Sequence, residues 1–576
     1  MRGHLQQVRR KLVGHRGRQA TLVSLAATLL YLLTMDRSVS WWDCGEFIAT
    51  GYLLQVGHPP GAPFYQLLQH IFTLFSFGNP MLVAPLSNAL SAVAAGITVG
   101  VLYLTMRELR VSWRGALVGA ACYALCDTVW FSAVESEVYA LAMLFCALDV
   151  WLMLRWRRTH DARLLPLTAL LLGLGMCTHL MTLLVLPALA LVYVSGKIGN
   201  RTGRHLHIRL STLILAVLFF LVGLTPYLIV PIRAAANPPI NEMKGSFESY
   251  LRREQYAKAP LYPRMWRDRD RENWSEWTFS DHGVAANAAY YVTYQLGFMY
   301  GRYLMYNFIG RENDRWHIVV LYILPALLAL WGLARHRRRS RWDFWTVMAL
   351  FLTGGVILNL YLNHPCYEPR SRDYVYVLSL YALALWIGVG ADEGLKAKSS
   401  WLKALALLAP LTLLAGNWSD HDRSRCHSVH DIALNHLQSC DRDAVLITLG
   451  DNDTFPLWYL QQVERRRTDI DIYNIGLTGF NETLAIIGNN LGKRPVYLSQ
   501  YFVDRYADFF PGRLRCEGFC WRLLPTAEGA DDPEPLQRHL RDSVEWHITG
   551  GEYLPRVSRN FIRDWEHNTA APISVR

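Results

Sequence analysis

The 576-residue chain has no GxxxxGK(S/T) loop and no GxGxxG turn, which counts against a site that cradles a nucleotide or dinucleotide by its phosphates. Its ten cysteines show no metal-ligand spacing. Cys122, Cys126, Cys146 and Cys177 sit in apolar runs and read as packing residues. Cys426, Cys440, Cys516 and Cys520 lie towards the end of the chain, where disulfides are permitted if that part is exported, although spacing does not fix their pairing. No small-residue cleavage site follows the first apolar run, so residues 20–35 read as a retained span rather than a signal. No repeat relates the two halves of the chain, as one does in many transporters.

What is present is apolar and segmented. Hydrophobic residues make up 52% of the chain, with 20 Trp and 29 Tyr, and they concentrate in the first 416 positions. A run near 20 residues matches a hydrocarbon layer of about 30 Å at about 1.5 Å per residue. The expected fold is therefore a polytopic α-helical membrane protein of about eleven spans, at 20–35, 82–106, 115–133, 138–154, 164–177, 180–195, 210–232, 318–334, 343–362, 374–391 and 401–416. The aromatic run 286–308 reads as an interfacial helix or a twelfth span. Residues 1–19 are basic, which sets them in the cytoplasm. From that start the strongly basic clusters all fall on the cytoplasmic side. The loops 36–81 and 233–317, Glu135, Glu137 and everything after 416 fall on the other. The +11 formal charge belongs mostly to short loops between spans and is no nucleic-acid footprint.

Three regions follow: the basic N-terminus 1–19, a multi-span core 20–416, and a small extracytoplasmic α/β domain 417–576. In the last, 445–449, 455–466 and 470–475 read as strand, helix and strand, with a further strand at 495–500. Asp451 and Asp453 stand at the carboxyl end of the first of these strands, where open α/β sheets place ligands. They could hold a divalent cation, or serve only as the polar turn that starts the next helix.

Residues 41–63, WWDCGEFIATGYLLQVGHPPGAP, carry the chain's most unusual chemistry. Asp43 and Glu46 stand three positions apart among aromatics suited to the membrane boundary. His58-Pro59-Pro60-Gly61 then breaks the helix. One acid alone would read as a helix cap, but ionisable residues held at a membrane face point to function. Asp43 and Glu46 are the catalytic candidates, with His58, Glu135 and Glu137 beside them. Arg370 and Arg372 lie on the side that the positive-inside rule disfavours, and guanidinium groups bind phosphate bidentately. A base and a phosphate clamp at a membrane surface suit a transferase whose donor is a lipid-linked phosphosugar.

The runs WDCGEFIATGYLLQVGHPPGAP, VESEVYAL, IRAAANPPIN with REQY, PRSRDYVY and GDNDTFPLWYLQQVE resemble the transmembrane protein O-mannosyltransferase family. The resemblance implies a GT-C fold. It also implies an inverting transfer of mannose from a polyprenyl or dolichyl phosphate to Ser or Thr hydroxyls of an acceptor protein, without a metal or other cofactor. Asp43 becomes the first choice for general base and Glu46 the second; Cys44 and Gly45 separate two acids that are adjacent in related O-mannosyltransferases. Arg370 and Arg372 become the donor-phosphate contacts. The Arg-rich, compact chain points to a bacterial inner membrane with the site on the periplasmic side, or the lumenal face of the endoplasmic reticulum in a eukaryote. Two other readings share these residues: a transporter or flippase for a lipid-linked or small molecule, and a membrane-tethered binding protein working through its α/β domain.

Overall fold

The computed structural model describes residues 2–198, 209–256, 260–264, 283–309, 319–364 and 372–526, with short strands at 547–548 and 574–575. Over its described residues, each of the eleven apolar runs is mostly helical. Among the described residues, six helices are long and apolar enough to cross a membrane, or seven if the pair Trp113–Ala124 and Asp127–Ala133, bent by 67°, crosses as one. Leu164–Met176 and Leu180–Gly196 are shorter apolar helices. The aromatic run is helical from Val284 to Ile309 and rests on the segment after Leu352, with Tyr291 Oη donating to Val356 O at 2.7 Å.

The first helix, α1 (Arg2–Thr34), carries the basic N-terminus and the first apolar run in one piece. It lies along the Val83–Glu108 helix at Gly96 and Gly100, where a Cβ would overlap Thr28 and Ser24. Lipid tails are as apolar as leucine, so close backbone approach at small residues, not burial from water, holds such a pair together.

Basic clusters far apart in sequence meet at one end of the bundle. Arg158 pairs with Glu108 at 2.6 Å, Arg335 with Glu393 at 2.8 Å and Arg339 with Asp392 at 2.9 Å, while Arg157 contacts Asp343. At the other end the chain after α1 is pinned from several sides. Asp36 N donates to Val134 O at 3.0 Å, Asn88 Nδ2 to Asp36 O at 2.8 Å, and Arg423 N to Thr34 O at 2.9 Å.

The last described region contains a five-stranded sheet in the order β2-β1-β3-β5-β4, formed by β1 (Val445–Thr448), β2 (Asp471–Asn474), β3 (Val496–Ser499), β4 (Leu514–Glu517) and β5 (Cys520–Leu523). β1 pairs in parallel with β2 and β3, and the β5 and β4 edge is antiparallel. β1 and β3 are buried throughout, as continuous apolar strands covered on both faces should be. Cys440 and Cys520 lie together, both sulfurs against His436 O at 3.5 and 3.6 Å.

Candidate functional site

The motif after α1 folds as a short helix, α2 (Cys44–Leu53), with Asp43 at its N-cap. It stops at Leu54 in the left-handed conformation (φ 49°), where Arg233 Nε donates to Leu54 O at 2.5 Å. A cation at this end suits the exposed carbonyls of a helix terminus. The proline turn then brings the chain back over α2. His58 N donates to Glu46 Oε1 at 2.7 Å, its Nδ1 contacts Glu46 Oε2, and Tyr250 Oη donates to Gly57 O at 2.7 Å.

Glu46 and His58 form a close pair, with the His58 side chain partly exposed. Glu46 is fully buried. Burial opposes a charge on His58, but Glu46 outweighs it and lifts the imidazole pKa to about 10, with Asp43 and Asp451 adding to the effect. Asp43 differs. It is half-buried, makes no capping bond to α2, and sits within electrostatic reach of the His58 cation.

The second acidic motif lies against the start of α2. Cys44 Sγ and carboxylate oxygens of Glu135 and Glu137 fall within 4.8 Å of one another, the one grouping among the described residues with spacing for a metal. Glu135 is also bound to Arg423 Nη1 at 2.8 Å, and that guanidinium covers the Phe131 ring at 4.0 Å. A cation of the protein itself thus already faces this acid.

A path of rings leads from the carboxylates to the arginines. His179 lies in the field of both His58 and Arg253; burial, reinforced by those two charges, holds it near pKa 4 and so neutral. Its ring is 5.4 Å from Tyr139, which lies 4.6 Å from Tyr374. Arg372 stands two residues before Tyr374, and its backbone N donates to Tyr303 Oη at 3.2 Å. The Arg302 guanidinium lies over the rings of Phe298, Tyr303 and Tyr306 at 5.1, 5.3 and 5.6 Å. Arg370 lies outside the described residues.

The GDND turn supplies the third wall. The helix Asp451–Gln462 packs on α2 so closely that a Cβ at Gly45 would overlap the Phe455 carbonyl. Asp451 is exposed on the site side, near enough to act on His58. Asp453 turns the other way, into the fold, where Oδ2 accepts from Leu449 N at 2.8 Å and from Ser499 Oγ. The two carboxylates therefore diverge, because helical positions two apart face different directions.

Sequence reading passed over Arg253, Arg302, Arg423 and Glu242. Glu242 is buried beside Glu46 and His58, and burial lifts its pKa to about 7. Two of the four adjoin runs that carry the family resemblance: Glu242 follows IRAAANPPIN directly, and Arg253 opens REQY. Arg302 and Arg423 stand outside any such run.

Comparison with known proteins bears on the family and the fold. The "Protein O-mannosyl-transferase TMEM260 N-terminal domain" matches residues 43–202, and "TMEM260-associated domain 2" matches residues 429–481. Protein O-mannosyl-transferase TMEM260 of Mus musculus is 26% identical over 473 residues, covering 79% of this chain and 62% of its own length. Its Dictyostelium discoideum counterpart is 24% identical over 505 residues, covering 79% of this chain and 56% of its own. The chain thus spans about three fifths of the length of these relatives. Among solved structures, ArnT from Cupriavidus metallidurans bound to undecaprenyl phosphate aligns at a TM-score of 0.51 and 13% identity, over 88% of this chain and 99% of that one. The family resemblance read from the motifs holds, and the fold is that of a polytopic, GT-C-like membrane protein.

Proposed function

We propose that this chain, similar to the TMEM260 proteins and sharing the ArnT fold, is a membrane glycosyltransferase. It moves mannose from a polyprenyl-phosphate donor to Ser or Thr hydroxyls of exported proteins, with inversion at the sugar carbon. The observation that carries this reading is the division between the first-loop acids. Glu46 is paired with His58, while Asp43 is half-buried at the start of α2 and makes no capping bond. Asp43 is the general base. It takes the proton from the acceptor hydroxyl as the oxygen attacks C1 of mannose, and the C1–O bond to the lipid phosphate breaks with its electron pair leaving on that oxygen. A positioned base of this kind contributes about 10²–10⁴-fold to the rate.

Arg372 and Arg302, at the far end of the ring path, receive the developing phosphate charge; Arg370 is assigned the same role from its motif. Charge-assisted bonds of guanidinium to phosphate suit that task. Glu46 positions His58, whose proton balances the buried carboxylate. Asp451 closes the acceptor side. The Arg423 guanidinium on Glu135 supplies positive charge without an ion, in keeping with a metal-independent reaction. The activity for which the relatives are named supports the choice of mannose, and the ligand bound by ArnT supports a polyprenyl phosphate. The site faces away from the cytosol, towards the periplasm in a bacterium or the lumen of the endoplasmic reticulum in a eukaryote.

The test is transfer by the purified protein in detergent, with labelled polyprenyl-phosphate mannose and a Ser/Thr-rich peptide. Labelled peptide carrying mannose in the anomeric configuration opposite to that of the donor is expected. Retention of configuration, or movement of the donor across a vesicle membrane with no peptide product, would overturn the reading.

A further inference from the structure

At the end of the bundle away from Asp43 lies a cavity of about 790 Å³ that the transfer reaction does not use. It opens where the helices Val83–Glu108, Val138–Thr159, Val319–Arg339 and Val377–Lys396 end, among the basic clusters. Arg110, Arg157, Arg339 and Lys396 line it against two acids, Asp343 and Glu393. Three of these cations are engaged: Arg157 contacts Asp343, Arg339 bridges Asp392 and Glu393, and Lys396 reaches Asp392 at 2.6 Å. Arg110 is exposed and meets no acid among the described residues.

A second observation points to a ligand. His336 lines the same cavity at only 2% exposure, and neither Nδ1 nor Nε2 has a hydrogen-bond partner. Buried polar side-chain atoms are nearly always satisfied, and both nitrogens of one ring going unmet beside an open volume calls for an occupant that the protein does not supply. A phosphate oxygen accepts from the single N–H of the neutral ring, and its charge meets the surplus positive charge of the lining. Trp342, 37% exposed at the rim, is the residue type that marks the depth of lipid headgroups.

We propose that this cavity binds a phosphate-bearing anion, held by Arg110 and His336. Basic pockets between spanning helices are a recognised form of anionic-headgroup site. The phosphate belongs either to a phospholipid of the adjacent leaflet or to a small soluble phosphate. The proposal stands apart from the transfer reaction, so its failure leaves that reading untouched and the reverse is also true.

The test uses the full chain in nanodiscs of phosphatidylcholine alone, of phosphatidylcholine with phosphatidylglycerol, and of phosphatidylcholine with added inorganic phosphate. Thermal unfolding and native mass spectrometry are the readouts. A raised Tm and a retained lipid adduct with phosphatidylglycerol identify a headgroup site; a raised Tm with inorganic phosphate alone identifies the soluble source. Arg110→Gln and His336→Phe should each weaken the effect roughly tenfold in apparent affinity, while the Tm in phosphatidylcholine stays at the wild-type value for Arg110→Gln. Arg114→Gln, a basic residue at the same end outside the cavity, should change nothing. No shift with either phosphate source, or an equal loss from Arg114→Gln, would overturn the proposal.

Discussion

The backbone N of Trp42 donates to Oδ1 of Asn452 at 2.6 Å, joining two motifs that lie 410 positions apart in the chain. Trp42 stands one residue before the proposed base, with its backbone in the left-handed region at φ 63°. The turn that aims Asp43 is therefore held by a residue of the C-terminal region. Asn452→Ala deprives the Trp42 N–H of this acceptor, at a cost of about 1–3 kcal/mol. The expected result is a Tm lowered by a few degrees and transfer reduced about tenfold or more, read by thermal unfolding and the peptide assay. Unchanged values for both would separate the C-terminal region from the site.

Much of this was legible in the sequence, and the remainder was hidden for a physical reason. Apolar runs near 20 residues mark helices because the bilayer fixes their length, and WWDCGEF with HPPG marks the candidate site because acids and prolines are costly at a membrane face. Composition cannot reveal that His58 folds back twelve positions onto Glu46, or that Arg423 reaches Glu135 across 288. Those contacts depend on the tertiary fold and leave no periodic trace. The inward turn of Asp453 was hidden for the same reason, since DxD spacing does not say which face of the helix is buried.

The Glu46–His58 pair predicts a pH dependence. The folded pKa of His58, about 10, lies above the ordinary value of about 6.5. The pair's stabilisation is therefore complete below about pH 6.5 and is lost as pH rises through about 10. His430, lifted to about 9 against the cost of its burial by bonds to Asp431 and Glu464, acts in the same sense. Tm should fall between pH 7 and 10. Glu46→Gln should flatten that slope and lower activity about 10- to 100-fold by releasing His58. Identical slopes for wild type and variant would refute the assignment.

Arg302 and Arg372 should act on the donor. Charge-assisted hydrogen bonds contribute about 1.5–3 kcal/mol, so Arg302→Ala and Arg372→Ala should each lower kcat/KM for the lipid-linked donor about 10- to 150-fold. KM for the peptide should stay near wild type. A loss confined to the peptide's KM would move these residues to the acceptor side.

Cys440 and Cys520 report sidedness. With both thiols on the His436 carbonyl, an oxidising compartment carrying a dithiol–disulfide oxidase should join them, each thiol giving up a proton and an electron to the oxidant's disulfide. Alkylation followed by mass spectrometry of membranes prepared without reductant should find this pair linked, and Cys440→Ser should leave Cys520 open to alkylation once the chain is denatured. Two reduced thiols in the wild-type chain would argue that this region faces the cytosol.

The most direct measurement is mannosyl transfer to a Ser/Thr peptide by Asp43→Asn, beside wild type, with folding of the variant verified by Tm. Loss of the base predicts a rate lower by about 10²–10⁴-fold at saturating donor with donor binding intact. Transfer at the wild-type rate by the folded variant would contradict the account.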